Sequence, residues 1–259
     1  MKYLTRIVLL SISIVMLSGC GQKEGWKLVW SDEFDYSGSP AEESWGYETG
    51  YERNNELQYY SSDLKNVRVE EGYCIINALL EEGEDSITSA SINTLGKQEF
   101  LYGRIEVRAK IPSALGSWPA IWMMGTNRGE LGWPACGEID IMEHVGYDPD
   151  RIHANIHTKA YNHSIGTNKG NQIEVKEPWT DFHIYSVEWF EDHMDFFMDD
   201  SLYFSFENDM AGNNDTWPFD KPHYLLINLA YGGSWGGNQG VDISLLPLQY
   251  EIDYIRYYK

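Results

Sequence analysis

The stretch RIEVRAKI, residues 104–111, alternates strictly: Ile105, Val107, Ala109 and Ile111 point one way, and Arg104, Glu106 and Arg108 the other. A period of two is that of a β-strand with one face in a core and the other turned away from it. The pattern recurs on both sides, at 65–80 with a turn at Glu71-Gly72, and at 118–124, 138–145, 152–157, 183–189, 223–231 and 249–258. It also runs through 193–206, with a turn near Asp199-Asp200. Nowhere do apolar residues recur at helical spacing over three turns, no internal repeat is visible and no Pro/Ser-rich linker interrupts the chain. Many short strands broken by Gly, Asn and Asp turns predict an all-β fold: one antiparallel two-sheet β-sandwich of the jelly-roll type over residues 26–259.

Composition narrows the partners. The chain has 259 residues, enough for one well-buried core, and 40 acidic residues against 19 basic ones give a net charge of −21. A surface this negative repels phosphate backbones and anionic lipid headgroups, which argues against nucleic acid and against membrane binding through a basic face. Ten Trp and eighteen Tyr suit stacking on flat, uncharged ligands, although large aromatics also fill sandwich cores. No nucleotide or redox motif and no Gly-rich phosphate loop is present, so no cofactor is expected for catalysis.

The first residues read as an address. Lys2 and Arg6 precede the apolar run 7–16, which closes on Leu17, Ser18, Gly19 and Cys20. A charged start, a short apolar stretch and a small-residue cleavage site make a signal peptide over 1–19, too short for a spanning helix. The ending LSGC resembles a bacterial lipobox, which implies that Cys20 is lipidated and that 20–25 form a short tether. Removing Lys2 and Arg6 leaves 17 basic residues against 40 acidic ones, or −23 for the mature chain. The expected location is the cell envelope, as a lipoprotein anchored on the periplasmic or cell-surface side of the outer membrane. Cys74 and Cys136 remain, and their apolar contexts favour buried free thiols over a disulfide.

The chemistry concentrates in GEIDIMEHVG, residues 137–146. Strict alternation puts Glu138 and Asp140 on one face, opposite Ile139 and Ile141, but it would turn Glu143 into the core. An unpaired carboxylate there is costly. One extra residue at Ile141-Met142, a β-bulge, restores the phase and brings Glu143 back beside its partners. Glu138 and Glu143 are then about 13 Å apart at Cα, and inclined side chains close that to about 5 Å between carboxyls. That separation suits a retaining glycosidase, with Glu138 as nucleophile, Glu143 as acid/base and Asp140 tuning the shared proton. His144 adjoins Glu143 but faces the other way, which counts against a catalytic metal. Trp118 and Trp122 share a face, Trp133 stands five residues before Glu138, and His157 shares its strand's polar face with His153 and Asn155.

With these residues in view, the sequence resembles glycoside hydrolase family 16. The likeness runs from WSDEF at Trp30 to the closing EIDYIRYYK, through NNELQYY, YGRIEVRAKIP, GSWPAIWMMG, WPACGEIDIMEHVG and WPFDKPHYLLINLAYGGSWGG. The E-x-D-x-x-E spacing resembles the bulged branch, and the whole looks most like its laminarinases. The resemblance implies a concave substrate cleft and β-1,3-glucan as polymeric partner, and it gives the three acids the roles reached from spacing. It further implies sugar contacts from Asn55, Arg104, Trp118, Trp122, Trp133 and His157. Arg104 could equally be an ion-pair partner of Glu106 or Asp140. A structural calcium on the convex side would involve Glu33, Gly72 and Asp253, whose acids could also be plain strand-end charges. A monomer is expected. Mixed-linkage glucan and an agarase-like specificity remain alternatives, as does a non-catalytic glycan-binding lipoprotein.

Overall fold

The computed structural model describes residues 25–83 and 86–259; the expected signal peptide, Cys20 and all of the tether but Gly25 lie outside them. Two sheets face each other, as the alternation requires. One runs in the order Lys169–Glu174, Arg151–His157, Glu138–Glu143, Ser117–Gly125, His223–Tyr231, Ser91–Asn93, Gly46–Tyr47. The other runs from Ser201–Glu207 through His193–Met198, His183–Trp189, Gly103–Lys110, Leu248–Tyr258, Tyr73–Leu80 and Ile87–Ser89 to Gln58–Tyr60. Leu28–Asp32 and Val67–Glu70 pair alongside this second sheet. The pairing is antiparallel except between Gln58–Tyr60 and Ile87–Ser89, which run parallel, a departure from the all-antiparallel expectation. Among the described residues no helix is long and apolar enough to cross a membrane.

The core is the space between the sheets. Ile105, Val107 and Ala109 enter it from one side, and Ile121, Met123, Ile139, Ile152, Ile156, Leu225 and Ile227 from the other, all of them fully buried. Cys74 and Cys136 are buried and unpaired, as their contexts suggest. Cys136, however, sits in the turn before the Glu138 strand rather than in a strand of its own.

The expected bulge is present. Asp140 faces Trp122 while Met142 faces Ile121, so Ile141 is the extra residue. On the other flank Asp140 pairs with Asn155 and Glu143 with His153. Ile141 and Met142 both enter the core, and Glu143 returns to the face carrying Glu138 and Asp140. A bulge breaks the ladder locally, and the Ile141 carbonyl accepts a hydrogen bond at 3.3 Å from the hydroxyl of Tyr203 in the facing sheet. Replacing Tyr203 by Phe removes that donor. The expected outcome is a loss of about 1 kcal/mol in chemical denaturation, with a lower kcat because the bulge carries Glu143. Unchanged stability and unchanged kcat would show that the bulge holds itself.

Candidate active site

The outer face of the first sheet lines a cleft of about 800 Å³. Period two puts Trp118, Ala120, Trp122 and Met124 of one strand beside Glu138, Asp140 and Glu143 of the next, then His153, Asn155 and His157 of the third. Six expected residues meet here: Glu138, Asp140, Glu143, Trp118, Trp122 and His157, with Trp133 joining from the preceding turn.

Each acid has its own partners. The Trp133 indole N–H donates to Glu138 Oε2 at 2.8 Å. The Trp118 N–H donates to Glu143 Oε1 at 3.0 Å, and the Asn155 amide donates to Glu143 Oε2 at 3.1 Å. His157 Nε2 lies 3.3 Å from Asp140 Oδ2 and 3.7 Å from Glu138 Oε1. The tryptophans therefore do more than offer ring faces: two of them hydrogen-bond the two glutamates. Trp122 donates instead to Asn228 at 2.8 Å, and the Arg53 guanidinium lies 5.0 Å from the centre of its ring.

Crowding three carboxylates in a partly dry site raises all of them. Burial, followed by the Asp140 charge, pushes Glu138 up to about 8, against the pull of His157 and the Trp133 N–H. Burial and then the Glu143 charge lift Asp140 well above the usual carboxylate range. Burial raises Glu143 too, opposed by His157, Trp118 and Asn155. Asp140, lifted well above its ordinary range, is an acid that holds a proton readily. Once it is neutral, the charge that most raises Glu138 after burial is gone, and Glu138 can ionise against the Trp133 N–H.

The sequence profile described as glycosyl hydrolases family 16 matches residues 46–256, most of the chain. The chain belongs to that family. It is 47% identical to the beta-glucanase of Rhodothermus marinus, over 97% of this chain and 92% of the relative. The X-ray structure of the laminarinase from Rhodothermus marinus superposes with a TM-score of 0.86 at 48% identity, covering 90% of this chain and 97% of that one. A non-specific endo-β-1,3(4)-glucanase of the same family superposes at 0.86 with 46% identity, covering 92% of both chains. This chain is thus a glycoside hydrolase.

The fold also corrects some expectations. Arg104 is not in the cleft of the hydrolase. The alternation that sends Ile105 and Val107 into the core sends Arg104 to the far side of the other sheet. There it pairs with Glu106 at 3.0 Å and Glu188 at 2.8 Å. Asn55 is exposed, and its neighbours Arg53, Asn54 and Glu56 line the cleft instead. Asn54 and Asn55 both adopt positive φ, which rotates successive side chains out of strand alternation. Glu33 is gripped by Arg256 through two hydrogen bonds, at 2.9 and 2.8 Å, and Asp253 is paired with Arg108. Each acid thus has a guanidinium partner, and a calcium ion there would draw on their remaining lone pairs and on main-chain carbonyls. His144 is buried against the Pro149 carbonyl at 2.9 Å, away from the acids, and burial pushes it down to about 4.

Sequence reasoning missed Arg53, Glu56, His163, Asn228 and Trp235 as cleft residues. His163 rests on the Trp133 ring at 5.1 Å from a one-turn 3-10 helix whose sequence carries no strand pattern. Glu56 lies in NNELQYY, and Asn228 and Trp235 lie in WPFDKPHYLLINLAYGGSWGG, whereas Arg53 and His163 fall outside the motif-bearing stretches.

A carboxyl raised by folding binds more protons folded than unfolded, so Glu138 costs stability as pH rises from about 4.5 to about 8. Glu138→Gln, which stays neutral, should raise Tm by about 2–6 °C at pH 8 and by almost nothing at pH 4.5. Equal shifts at the two pH values in a thermal scan would contradict the raised carboxyl.

Proposed function

We propose that the chain is a retaining, endo-acting hydrolase of internal β-1,3-glucosidic bonds in laminarin-type glucan, held at the bacterial cell envelope by lipid on Cys20. The observation that carries this reading is the pair Glu138 and Glu143 on one bulged strand, each glutamate holding a tryptophan N–H, at the floor of an open cleft. In the first step Glu138 attacks the anomeric carbon and Glu143 protonates the departing glycosidic oxygen. A covalent glycosyl-enzyme results. Glu143, now ionised, then takes a proton from water as that water displaces Glu138, returning the sugar with its original configuration.

The lining favours a neutral polymer. Four acids, Glu56, Glu138, Asp140 and Glu143, share the cleft with only two basic residues, Arg53 and Arg128. Arg53 is already ion-paired to Glu48. A sulphated galactan would need the reverse balance. The names borne by the similar proteins, beta-glucanase, laminarinase and endo-β-1,3(4)-glucanase, favour glucan and leave mixed-linkage chains as the second reading. The envelope location rests on Lys2, Arg6, the apolar run 7–16 and LSGC. A signal peptide over 1–19, a tether over 20–25, a catalytic domain over 26–259 and a monomer complete the proposal.

Laminarin, lichenan, agarose and carrageenan, assayed side by side, test substrate and mechanism together. Oligosaccharides should appear from laminarin, with the β-anomer first in proton NMR. Glu138→Gln and Glu143→Gln should each lower kcat at least about 10³-fold on the natural polymer. An α-anomer as first product would overturn retention, and activity on agarose alone would overturn the substrate.

A further inference from the structure

We infer that the exposed Tyr51–Tyr59 pair, with Leu57 beside it, is a second sugar-binding surface that holds an undegraded glucan chain where it leaves the cleft. For the chemistry of its ligand this inference rests on the β-glucan reading above. The strand Gln58–Tyr60 and the loop before it have two sides. On the inner side Tyr60 is fully buried, accepts from the Asn228 amide at 2.9 Å, and through Asn228 supports Trp122 on the cleft floor. On the outer side Leu57 and Tyr59 alternate with it and stand 45% and 40% exposed. Gly50 pairs with Tyr60 through two backbone hydrogen bonds, at 3.0 and 2.9 Å, which draws Tyr51 alongside Tyr59. The two rings meet edge to face at 5.5 Å and 84°, and Tyr51 remains 68% exposed.

Two rings fixed against each other present ring surface at little cost in side-chain entropy, the property that makes tyrosine effective in binding surfaces. Isolated exposed apolar residues are ordinary, but contiguous ones rimmed by polar groups mark contact surfaces. The surface continues from the cleft, because Arg53 and Asn54, two and three residues after Tyr51, line it. The Asn54 carbonyl accepts from the Ser234 N–H at 2.8 Å, which fixes that rim. Charge selects the occupant: Arg53 is the only basic residue from 48 to 60, and it is paired to Glu48. Nothing in the segment attracts an anionic headgroup, whereas a neutral pyranose chain needs ring faces and hydroxyl partners only.

The test compares long and short substrates. Tyr51→Ala/Tyr59→Ala should weaken retention on insoluble β-1,3-glucan by about three- to tenfold, measured in the Glu138→Gln background so that nothing is digested. In the active background the ratio of kcat/KM on laminarin to that on laminaritetraose should fall by a similar factor, and Tyr51→Trp/Tyr59→Trp should restore both. Tyr51→Ala alone, at a position so exposed, keeps the test open if the double variant folds poorly. Unchanged retention would overturn the inference, as would an equal loss on the tetraose, which would put the pair's effect inside the cleft. A dimer dissociated by the double variant, or wild-type binding to phosphatidylglycerol vesicles that the variant abolishes, would also overturn it. A wild-type protein inert on every glucan would refute the proposed function, while retention on the insoluble polymer would still decide this surface.

Discussion

A β-strand can show one face only its alternate residues, and the active site of this hydrolase depends on breaking that rule once. Glu138 and Asp140 obey it, and Glu143 does not. The bulge at Ile141 absorbs one residue, sends two consecutive apolar side chains into the core and turns Glu143 outward. Without it the sandwich would bury a carboxylate beside Ile139 and Ile141 and turn Met142 outward. Tyr203, reaching from the facing sheet to the Ile141 carbonyl, ties this local irregularity to the packing of the whole domain.

The same geometry explains the electrostatics. A rigid sheet keeps three carboxylates within one cleft, and the neighbouring strands and the preceding turn surround them with polar groups. Trp133 serves Glu138, Trp118 and Asn155 serve Glu143, and His157 stands beside Asp140. Burial and mutual repulsion raise the acids, which costs stability near neutral pH and makes proton sharing chemically useful. In the proposed mechanism Asp140, beside His157, holds a proton so that Glu138 can act as the nucleophile. The indoles thus act as much through their N–H groups as through their rings.

Much of this was legible in the sequence because alternation is a local signal. Strands with one face in the core, such as 183–189 and 223–231, begin and end where the pattern says. The bulge was legible as well, since a buried Glu143 had no alternative. Lys169–Glu174 was not, because it is an edge strand with almost no core face and carries no apolar rhythm. Ile87–Ser89 and Ser91–Asn93 are too short to establish a period. In the site, the regular strands carry Trp118, Trp122, Glu138, Asp140 and His157 onto the cleft face, whereas Arg53 and Asn54 line it from a turn where positive φ at Asn54 and Asn55 breaks the count. Arg104 shows the complementary lesson: its own strand's alternation already put it opposite the core residues, and only the arrangement of the two sheets decides which outer face is the cleft.

The bulge places Glu138 and Glu143 on one face, and the proposed mechanism gives them different roles there. Azide rescue reads both directly, with Glu138→Ala and Glu143→Ala each supplied with a β-1,3-linked disaccharide bearing a reactive aryl leaving group. The Glu138 variant should yield an α-glycosyl azide, because azide enters where the nucleophile stood. The Glu143 variant should yield a β-glycosyl azide, because Glu138 still forms the covalent intermediate and azide displaces it. The same anomer from both variants, or the two reversed, would contradict these roles.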